Sequence, residues 1–235
     1  MTCRIEKAVV LLSGGADSVT LLHYVRKKLK TSLVHALSFD YGQAHKRELE
    51  SAALQARLLD EIKHQIMDVT ALRDLVTGAT ALLDTGGGIP DLSDLDAEQR
   101  RQPPTYVPSR NMVFLSLASA YAEARGIDHV FYGAQAHDEY GYWDCTPDFV
   151  RRINSVLDLN RKFRVRIHAP FVEMSKAEVI RLGAELGVDY SNTWTCYRGN
   201  SIPCGKCPSC AERRNAFEKA GIKDTLCETR TVEYR

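Results

Sequence analysis

The sequence lacks a long hydrophobic run and an excess of charge of either sign. No apolar stretch reaches the roughly 18 residues from which a membrane-spanning helix is recognised, and the first residues do not resemble a signal peptide. The 31 basic and 30 acidic side chains give a net charge of +1, which provides no electrostatic basis for binding nucleic acid or a membrane surface. We therefore expect a globular protein of the cytoplasm.

Internal repeats and low-complexity tracts are also missing from the 235 residues. With 44% hydrophobic residues, the chain is long enough to bury a substantial core. Its seven cysteines are not expected to form disulfides in a reducing compartment. Four of them lie between Cys196 and Cys210, and this clustering suggests a metal site.

The two common phosphate-binding motifs, GxxxxGK[ST] and GxGxxG, are absent as well. In their place, an unbroken apolar strand at residues 8–12 leads into the sequence SGGADS at residues 13–18, which opens an apolar-periodic helix. Paired glycines allow several backbone N–H groups to converge on an anion, and the positive end of the helix dipole points to the same place. The stretch therefore predicts a phosphate cradle.

Strand and helix patterns alternate along most of the chain. This order predicts an α/β fold with a doubly wound parallel sheet and a ligand site beyond the carboxyl ends of the strands, where the glycine loop and Asp40 both lie. After the first strand, the predicted strands are residues 32–39, 64–69, 129–133 and 165–170, and the predicted helices after the glycine loop are residues 44–59, 111–125, 147–159, 175–186 and 208–220.

Residues 70–109 interrupt this alternation. Three successive glycines, a run of acidic residues and Pro103-Pro104 indicate a long insertion without a strong core signal. Because its far end delivers the sequence YVPSRN at residues 106–111 to the next helix, we interpret it as a lid. The predicted organisation is an α/β domain at residues 1–190 containing this lid-like insertion, followed by a cysteine-rich extension at residues 191–235.

The four clustered cysteines follow the pattern C-x7-C-x2-C-x2-C. Each C-x2-C pair can fold into a knuckle that directs both sulfurs at one ion, and Pro203 and Gly205 supply suitable turn residues. A closed shell of four thiolates favours structural zinc that pins the C-terminal helix, with an iron–sulfur cluster as the alternative. The predicted ligands are Cys196, Cys204, Cys207 and Cys210.

The SGGADS loop resembles the pyrophosphate loop of the ATP-pyrophosphatase superfamily. Further motifs in order along the chain are FDYGQ at residues 39–43, YVPSRN at 106–111, GYWDC at 141–145, SKAEVIRLGAELGV at 175–188, TWTCY at 193–197 and CGKCPSC at 204–210. Together they resemble the 7-cyano-7-deazaguanine synthase (QueC) family from about residue 8 to residue 220. The resemblance implies an adenine nucleotide alpha hydrolase-like fold with a zinc-bound helical extension.

The resemblance also implies a reaction. A ligase of this family adenylates 7-carboxy-7-deazaguanine with ATP, and ammonia displaces AMP to give the amide. A second adenylation of the amide oxygen then leads to the nitrile, on the path to queuosine. The implied cofactors are ATP, Mg²⁺ and Zn²⁺, and the implied assembly is a homodimer without nucleic acid or membrane partners.

Candidate site residues follow from matching these motifs. The resemblance implies that Asp17, Ser18 and Lys176 are catalytic, although Lys176 is equally compatible with a purely structural place in a capping box. The nucleotide site is expected to comprise Leu12, Ser13, Gly14, Gly15, Asp17, Ser18, Asp40 and Tyr41, and the substrate site Arg110, Tyr142 and the carboxylates Asp138 and Asp144.

The loop after the fourth strand departs from the usual family pattern, notably at Glu139 and Trp143. These side chains are expected near the entrance for the amine, so the nitrogen donor is left open. One alternative is a QueC-like paralogue that activates the same acid, transfers it to a protein N-terminus and stops at the amide. Two others are a tRNA thiolase of the same superfamily and a non-catalytic nucleotide sensor.

Overall fold

A parallel sheet of five strands forms the centre of the protein in a computed structural model, which describes residues 5–43, 46–83, 88–101, 103–135 and 142–226. The spatial order is β3-β2-β1-β4-β5, and all neighbouring strands run parallel. This confirms the predicted α/β class. The strands are β1 (Lys7–Leu11), β2 (Leu33–Asp40), β3 (Ile62–Asp68), β4 (His129–Phe131) and β5 (Arg166–His168).

β1 lies in the middle of the sheet because its residues are apolar on both faces. Val10 pairs with Ala36 of β2 on one side and with Phe131 of β4 on the other. Ala8, Val9 and Val10 have no solvent exposure. The chain order reverses between β1 and β4, and at such a point the loops that leave neighbouring strands diverge and open a crevice.

Helices flank the sheet, and two of them begin and end where local signals indicate. Pro208 opens the helix of residues 208–220 and Gly221 ends it with a φ of 70°. Ser175 and Glu178 form the predicted capping box. The helices are α1 (Ala16–His23), which continues as a π-helical turn to Lys28, α2 (Arg47–Arg57), α3 (Ala71–Leu75), α4 (Ala97–Arg101), α5 (Arg110–Glu123), α6 (Pro147–Leu157), α7 (Lys176–Glu185) and α8 (Pro208–Ala220).

The core has two layers, one on each face of the sheet. Adjacent residues of a strand point to opposite faces, so Val10 packs with α1, α2, α7 and α8, whereas Val9 packs with α5 and α6. Leu115 of α5 is completely buried, whereas Met112 on the same helix is 42% exposed, so α5 presents one side to solvent.

The segment of residues 70–109 contributes to the second layer. Leu72, Leu82, Leu83 and Val107 are buried in the cluster on that face, so the segment adds to the core although its sequence carries no strong core signal. The segment is also tied to the cysteine-rich region, where Leu92 N–H donates to the Lys206 carbonyl at 3.0 Å. Its description as a lid, and the division of the chain into domains, stay predictions.

Arg213 of α8 is a buried charge, 5% exposed, that organises the end of the described chain. Its guanidinium donates to both carboxylate oxygens of Asp224, at 2.7 and 2.8 Å. It also donates to the hydroxyls of Thr193 and Thr195 and to the Tyr190 carbonyl. One side chain therefore fixes the loop of residues 190–195 against α8.

No helix in the described ranges combines the length and the apolar character needed to cross a membrane.

Candidate active site

A cavity of about 300 Å³ opens at the carboxyl ends of β1, β2 and β4. The glycine loop forms one wall, the beginning of α5 the opposite wall, and α7, α8 and residues 194–197 close the sides. Most of the predicted site residues in the described ranges line it. They are Leu12, Ser13, Gly15, Asp17, Ser18, Tyr41, Arg110, Tyr142, Asp144 and Lys176.

Hydroxyl contacts hold the glycine loop at the end of β1. The Ser18 Oγ accepts from the Ser13 N–H at 3.1 Å and donates to the Gly15 carbonyl at 3.1 Å. The Ser13 Oγ lies 3.0 Å from the Ser18 Oγ and accepts from the Gly15 N–H. The loop is therefore shaped by its own side chains around the start of α1, whose dipole favours an anion at this place.

Gly14 joins the glycine loop to α2 and to Trp194 through close backbone contacts. It has a φ of +89°, and a Cβ at this position would lie 2.0 Å from the Glu48 carbonyl oxygen of α2. Its own carbonyl accepts from the Trp194 N–H at 2.9 Å. Gly14 is not among the residues that line the cavity, so its contribution is close backbone packing.

Lys176 lies between two carboxylates. Its Nζ is 3.4 Å from the Asp17 carboxylate in the first turn of α1 and 2.6 Å from the Glu212 carboxylate of α8. All three side chains are largely shielded from solvent, with exposures between 15 and 25%. The capping box at the start of α7 and the placement of Lys176 in the cavity occur together, so the two interpretations of this lysine are not exclusive.

Arg110 forms a cationic point on the wall opposite the glycine loop. Its guanidinium lies over the Tyr41 ring at 5.7 Å and donates to the Tyr41 hydroxyl at 3.3 Å. Burial lowers the pKa of Arg110, but Tyr41, Tyr197 and Glu48 outweigh this effect and raise its pKa overall. Burial also raises the pKa of Tyr41 to about 12, so its hydroxyl stays protonated.

Glu48 of α2 lines the same cavity. Its carboxylate accepts from the Gln43 side-chain amide at 3.3 Å. Burial raises the pKa of Glu48 to about 7, while the charge of Arg110 and the Gln43 hydrogen bond oppose the increase. This carboxyl group can therefore change its protonation state near neutral pH.

Asp40 does not line the cavity, unlike its neighbour Tyr41. Its carboxylate accepts from Lys46 at 2.6 Å and from the Gly42 N–H at 3.3 Å. Its proposed part in nucleotide binding is therefore not supported by the cavity lining.

Asp144 is the candidate substrate carboxylate within the described chain, since Asp138 lies outside the described residues. It is 3% exposed, and burial raises its pKa against the opposing influence of Arg110 and of hydrogen bonds from Asn111. Nearby, the Tyr142 ring stacks on Tyr106 with centroids 5.7 Å apart. A carboxylate and an aromatic pair thus border one end of the cavity.

The four clustered cysteines converge as predicted. The four sulfur atoms all lie within 4.8 Å of one another, and the Cys204 and Cys210 sulfurs are 3.9 Å apart. Tetrahedral zinc with bonds of about 2.3 Å sets sulfurs roughly 3.8 Å apart, so the set fits such an ion. Backbone N–H groups of Cys204 and Cys207 donate to the sulfurs of Cys196 and Cys204, respectively, and support thiolate ligands.

A profile described as "Queuosine biosynthesis protein QueC" matches residues 7–221 of this chain. The chain belongs to the QueC family. It is 41% identical over 221 residues to 7-cyano-7-deazaguanine synthase 1 of Colwellia psychrerythraea, covering 94% of this chain and 98% of the relative. It is 45% identical over 221 residues to 7-cyano-7-deazaguanine synthase of Chromohalobacter salexigens, covering 94% and 85%, respectively.

Solved structures share the fold at low sequence identity. A 4-thiouridine synthetase in complex with RNA and ATP has a TM-score of 0.52 and 18% identity, covering 96% of this chain and 53% of that one. NMN synthetase of Francisella tularensis has a TM-score of 0.51 and 15% identity, covering 96% and 82%. These neighbours confirm the predicted fold class.

Several cavity residues of this QueC family member were not predicted individually. Glu48 lies in the first turn of α2, and Glu212 and Arg213 lie inside α8, where a charged side chain is usually solvated. Trp194 and Tyr197 were noted only as part of the TWTCY motif. No local sequence pattern marks these residues as part of one site, because the cavity is formed by elements that are distant in sequence.

Proposed function

We propose that this protein is an ATP-dependent ligase that converts 7-carboxy-7-deazaguanine and ammonia, through the amide, to 7-cyano-7-deazaguanine. The observation that carries the proposal is a single cavity with a phosphate-binding loop on one wall and the buried Arg110 on the other, in a member of the QueC family. Such a cavity brings together groups suited to a polyphosphate and groups suited to an anionic acid.

The glycine loop would hold the polyphosphate of ATP, with Mg²⁺ accompanying the nucleotide as its counter-ion. Backbone N–H groups at the start of α1 and the hydroxyls of Ser13 and Ser18 are suitable donors for phosphate oxygens. An acyl oxygen attacks the α-phosphorus, the bond to the β-phosphate oxygen breaks, and pyrophosphate leaves with the electron pair. Lys176 offsets the charge that develops on this leaving group.

Arg110 would orient the acid. Its planar guanidinium can hold a carboxylate through paired hydrogen bonds while one oxygen attacks ATP. Asp144 can accept from an N–H edge of the deazapurine, and the ring pair Tyr106 and Tyr142 can flank its plane. These positions would set the acid between the glycine loop and α5.

Amination and dehydration follow from the same activation. Ammonia attacks the acyl carbon, the C–N bond forms and AMP leaves with the C–O electron pair. The amide oxygen is then adenylated by a second ATP, and loss of AMP together with the remaining N–H protons leaves the C≡N bond. The groups that would assist adenylation of the acid can also assist adenylation of the amide.

The four cysteines would bind zinc in a structural site. Their sulfur spacing fits four thiolates around one ion, and Cys207 and Cys210 lie at the beginning of α8, the helix that carries Glu212. Bound zinc supplies folding energy and fixes this end of α8. The homodimer and the cytoplasmic location implied by the family are part of the same proposal.

The test is to incubate the purified protein with ATP, Mg²⁺, ammonium and 7-carboxy-7-deazaguanine and to identify the products by mass spectrometry. We expect the nitrile as the main product, with pyrophosphate and AMP released only when the acid is present. Accumulation of the amide alone would indicate a paralogue with another acceptor. Absence of pyrophosphate release with every deazapurine acid tested would refute the ligase.

A further inference from the structure

Glu48 is fixed with respect to the phosphate loop. Its backbone carbonyl packs so closely behind Gly14 that a Cβ there would approach within 2.0 Å. The Glu48 side chain reaches into the cavity, and Leu49, the next residue of α2, also lines it. Any movement of the phosphate loop relative to this carboxylate is therefore restricted by backbone packing.

Gln43 fixes the direction of the Glu48 carboxylate. The Gln43 side-chain oxygen accepts from the Tyr41 N–H at 2.9 Å, while its nitrogen donates to the Phe39 carbonyl and to Glu48, both at 3.3 Å. Both ends of the amide are thus engaged. An amide held in this way orients a carboxylate without supplying a positive charge to it.

The other acidic side chains among the described lining residues have different surroundings. Asp17 and Glu212 both lie within ion-pair distance of Lys176, and Asp144 accepts hydrogen bonds from Asn111. Glu48 shares the cavity with Arg110, which attracts the acid substrate in the proposed function. A carboxylate beside the bound acyl group is in a suitable place to meet the amine.

The amination itself requires a base. Ammonium has no lone pair, so one proton must leave before nitrogen can attack, and a second leaves after the C–N bond forms. We propose that Glu48 accepts the first of these protons, a catalytic role that rests on the ligase function proposed above. The C–O bond to AMP then breaks, AMP retains the electron pair, and the second proton passes to solvent.

The surroundings of Glu48 suit this exchange. Burial raises its pKa to about 7, and the groups that oppose this increase are Arg110 from α5 and Gln43 from the loop after β2. Arg110 is faced in turn by Tyr41, from the same loop as Gln43, and by Tyr197, from a further segment. A base whose pKa lies near the working pH can both take up and release the proton in each cycle.

The test compares two nucleophiles in Glu48→Gln, whose amide can still accept from Gln43. Ammonium, the main form of this donor near neutral pH, must lose a proton to a base before it attacks, whereas hydroxylamine is a weaker base that is largely uncharged at the same pH. We expect Glu48→Gln to lower ammonia-dependent amide formation on the order of 100-fold and to retain hydroxamate formation and acid-dependent pyrophosphate release. Glu50→Gln, an exposed change on the same helix, is the matched control and should leave both rates unchanged.

The outcomes separate the two proposals. Equal loss with both nucleophiles, or no loss with either, would overturn the role of Glu48. Failure of the unaltered protein to release pyrophosphate would instead overturn the ligase. Glu48→Asp, which withdraws the carboxylate by one methylene, provides a second measurement if Glu48→Gln does not fold. Glu48→Asp should retain hydroxamate formation and lose part of the rate of amide formation from ammonia. Equal loss of both rates would again exclude Glu48 as the base.

Discussion

The Nζ of Lys176 lies 2.6 Å from the Glu212 carboxylate, and this contact joins the first turn of α7 to α8 at the edge of the cavity. Asp17 lies on the other side of the same ammonium, at 3.4 Å. One cation thus links the helix that follows the glycine loop with the helix that begins at the cysteine cluster. We therefore expect changes at either place to alter the position of Lys176.

Substitution of Lys176 tests its role in pyrophosphate release. Lys176→Met removes the charge near the leaving group, so we expect acid-dependent pyrophosphate release to fall on the order of 100-fold. Lys219→Met, an exposed change on α8, should have no effect on this rate. A Lys176→Met protein that is folded and as fast as the unaltered enzyme would exclude the proposed role.

Gly14 and Gly78 form a matched pair for backbone packing. Both have a positive φ, but only Gly14 has neighbours within reach of a Cβ. Gly78→Ala should lower the free energy of unfolding by about 1–2 kcal/mol, the strain of the left-handed region. Gly14→Ala adds an overlap with the Glu48 carbonyl and should cost more. Urea unfolding measures both, and equal losses would contradict this account.

Metal removal should destabilise the C-terminal region. Cys207→Ser removes one of the four thiolates, so we expect metal content to fall and the thermal midpoint to decrease. Elemental analysis gives the identity of the metal, and a colourless protein with zinc would exclude the iron–sulfur alternative. Cys3→Ser changes a cysteine outside the cluster and serves as the control. Unaltered metal content in Cys207→Ser would show that the cluster is not the binding site.

The buried imidazole of His23 should make the free energy of unfolding depend on pH. Burial, together with the charge of Lys27, lowers its pKa from 6.5 to about 4. Between these values the unfolded chain binds more protons than the folded one, so stability is lost as the pH falls through this range. His23→Gln should flatten the dependence by up to about 1.4 kcal/mol per pH unit. Denaturant unfolding at several pH values measures the slope, and identical slopes would contradict the prediction.

The sequence predicted features that depend on neighbouring residues. The bounds of α8 agree with expectation because Pro208 and Gly221 act locally, and the glycine loop lies between a strand and a helix as its pattern indicates. The convergence of the four cysteines followed from their spacing. Each of these features is determined within a few residues of chain.

Other features depend on contacts between distant segments. Leu72 is separated by turns from the adjacent pair Leu82 and Leu83, so the three form no periodic pattern although they are buried together. Glu48 has the sequence context of an exposed helical residue, and only the approach of α5 and the loop after β2 encloses it. Asp40 was expected in the site, but its carboxylate pairs with Lys46 and does not line the cavity.

The ion pair between Arg213 and Asp224 means that the residues after α8 contribute to the stability of the fold. A protein shortened at Ala220 would retain a guanidinium in its interior and lose the carboxylate that neutralises it. Removing one member of such a pair is strongly destabilising. Trimming the C-terminus to help crystallisation would therefore endanger the turn that shapes one side of the cavity.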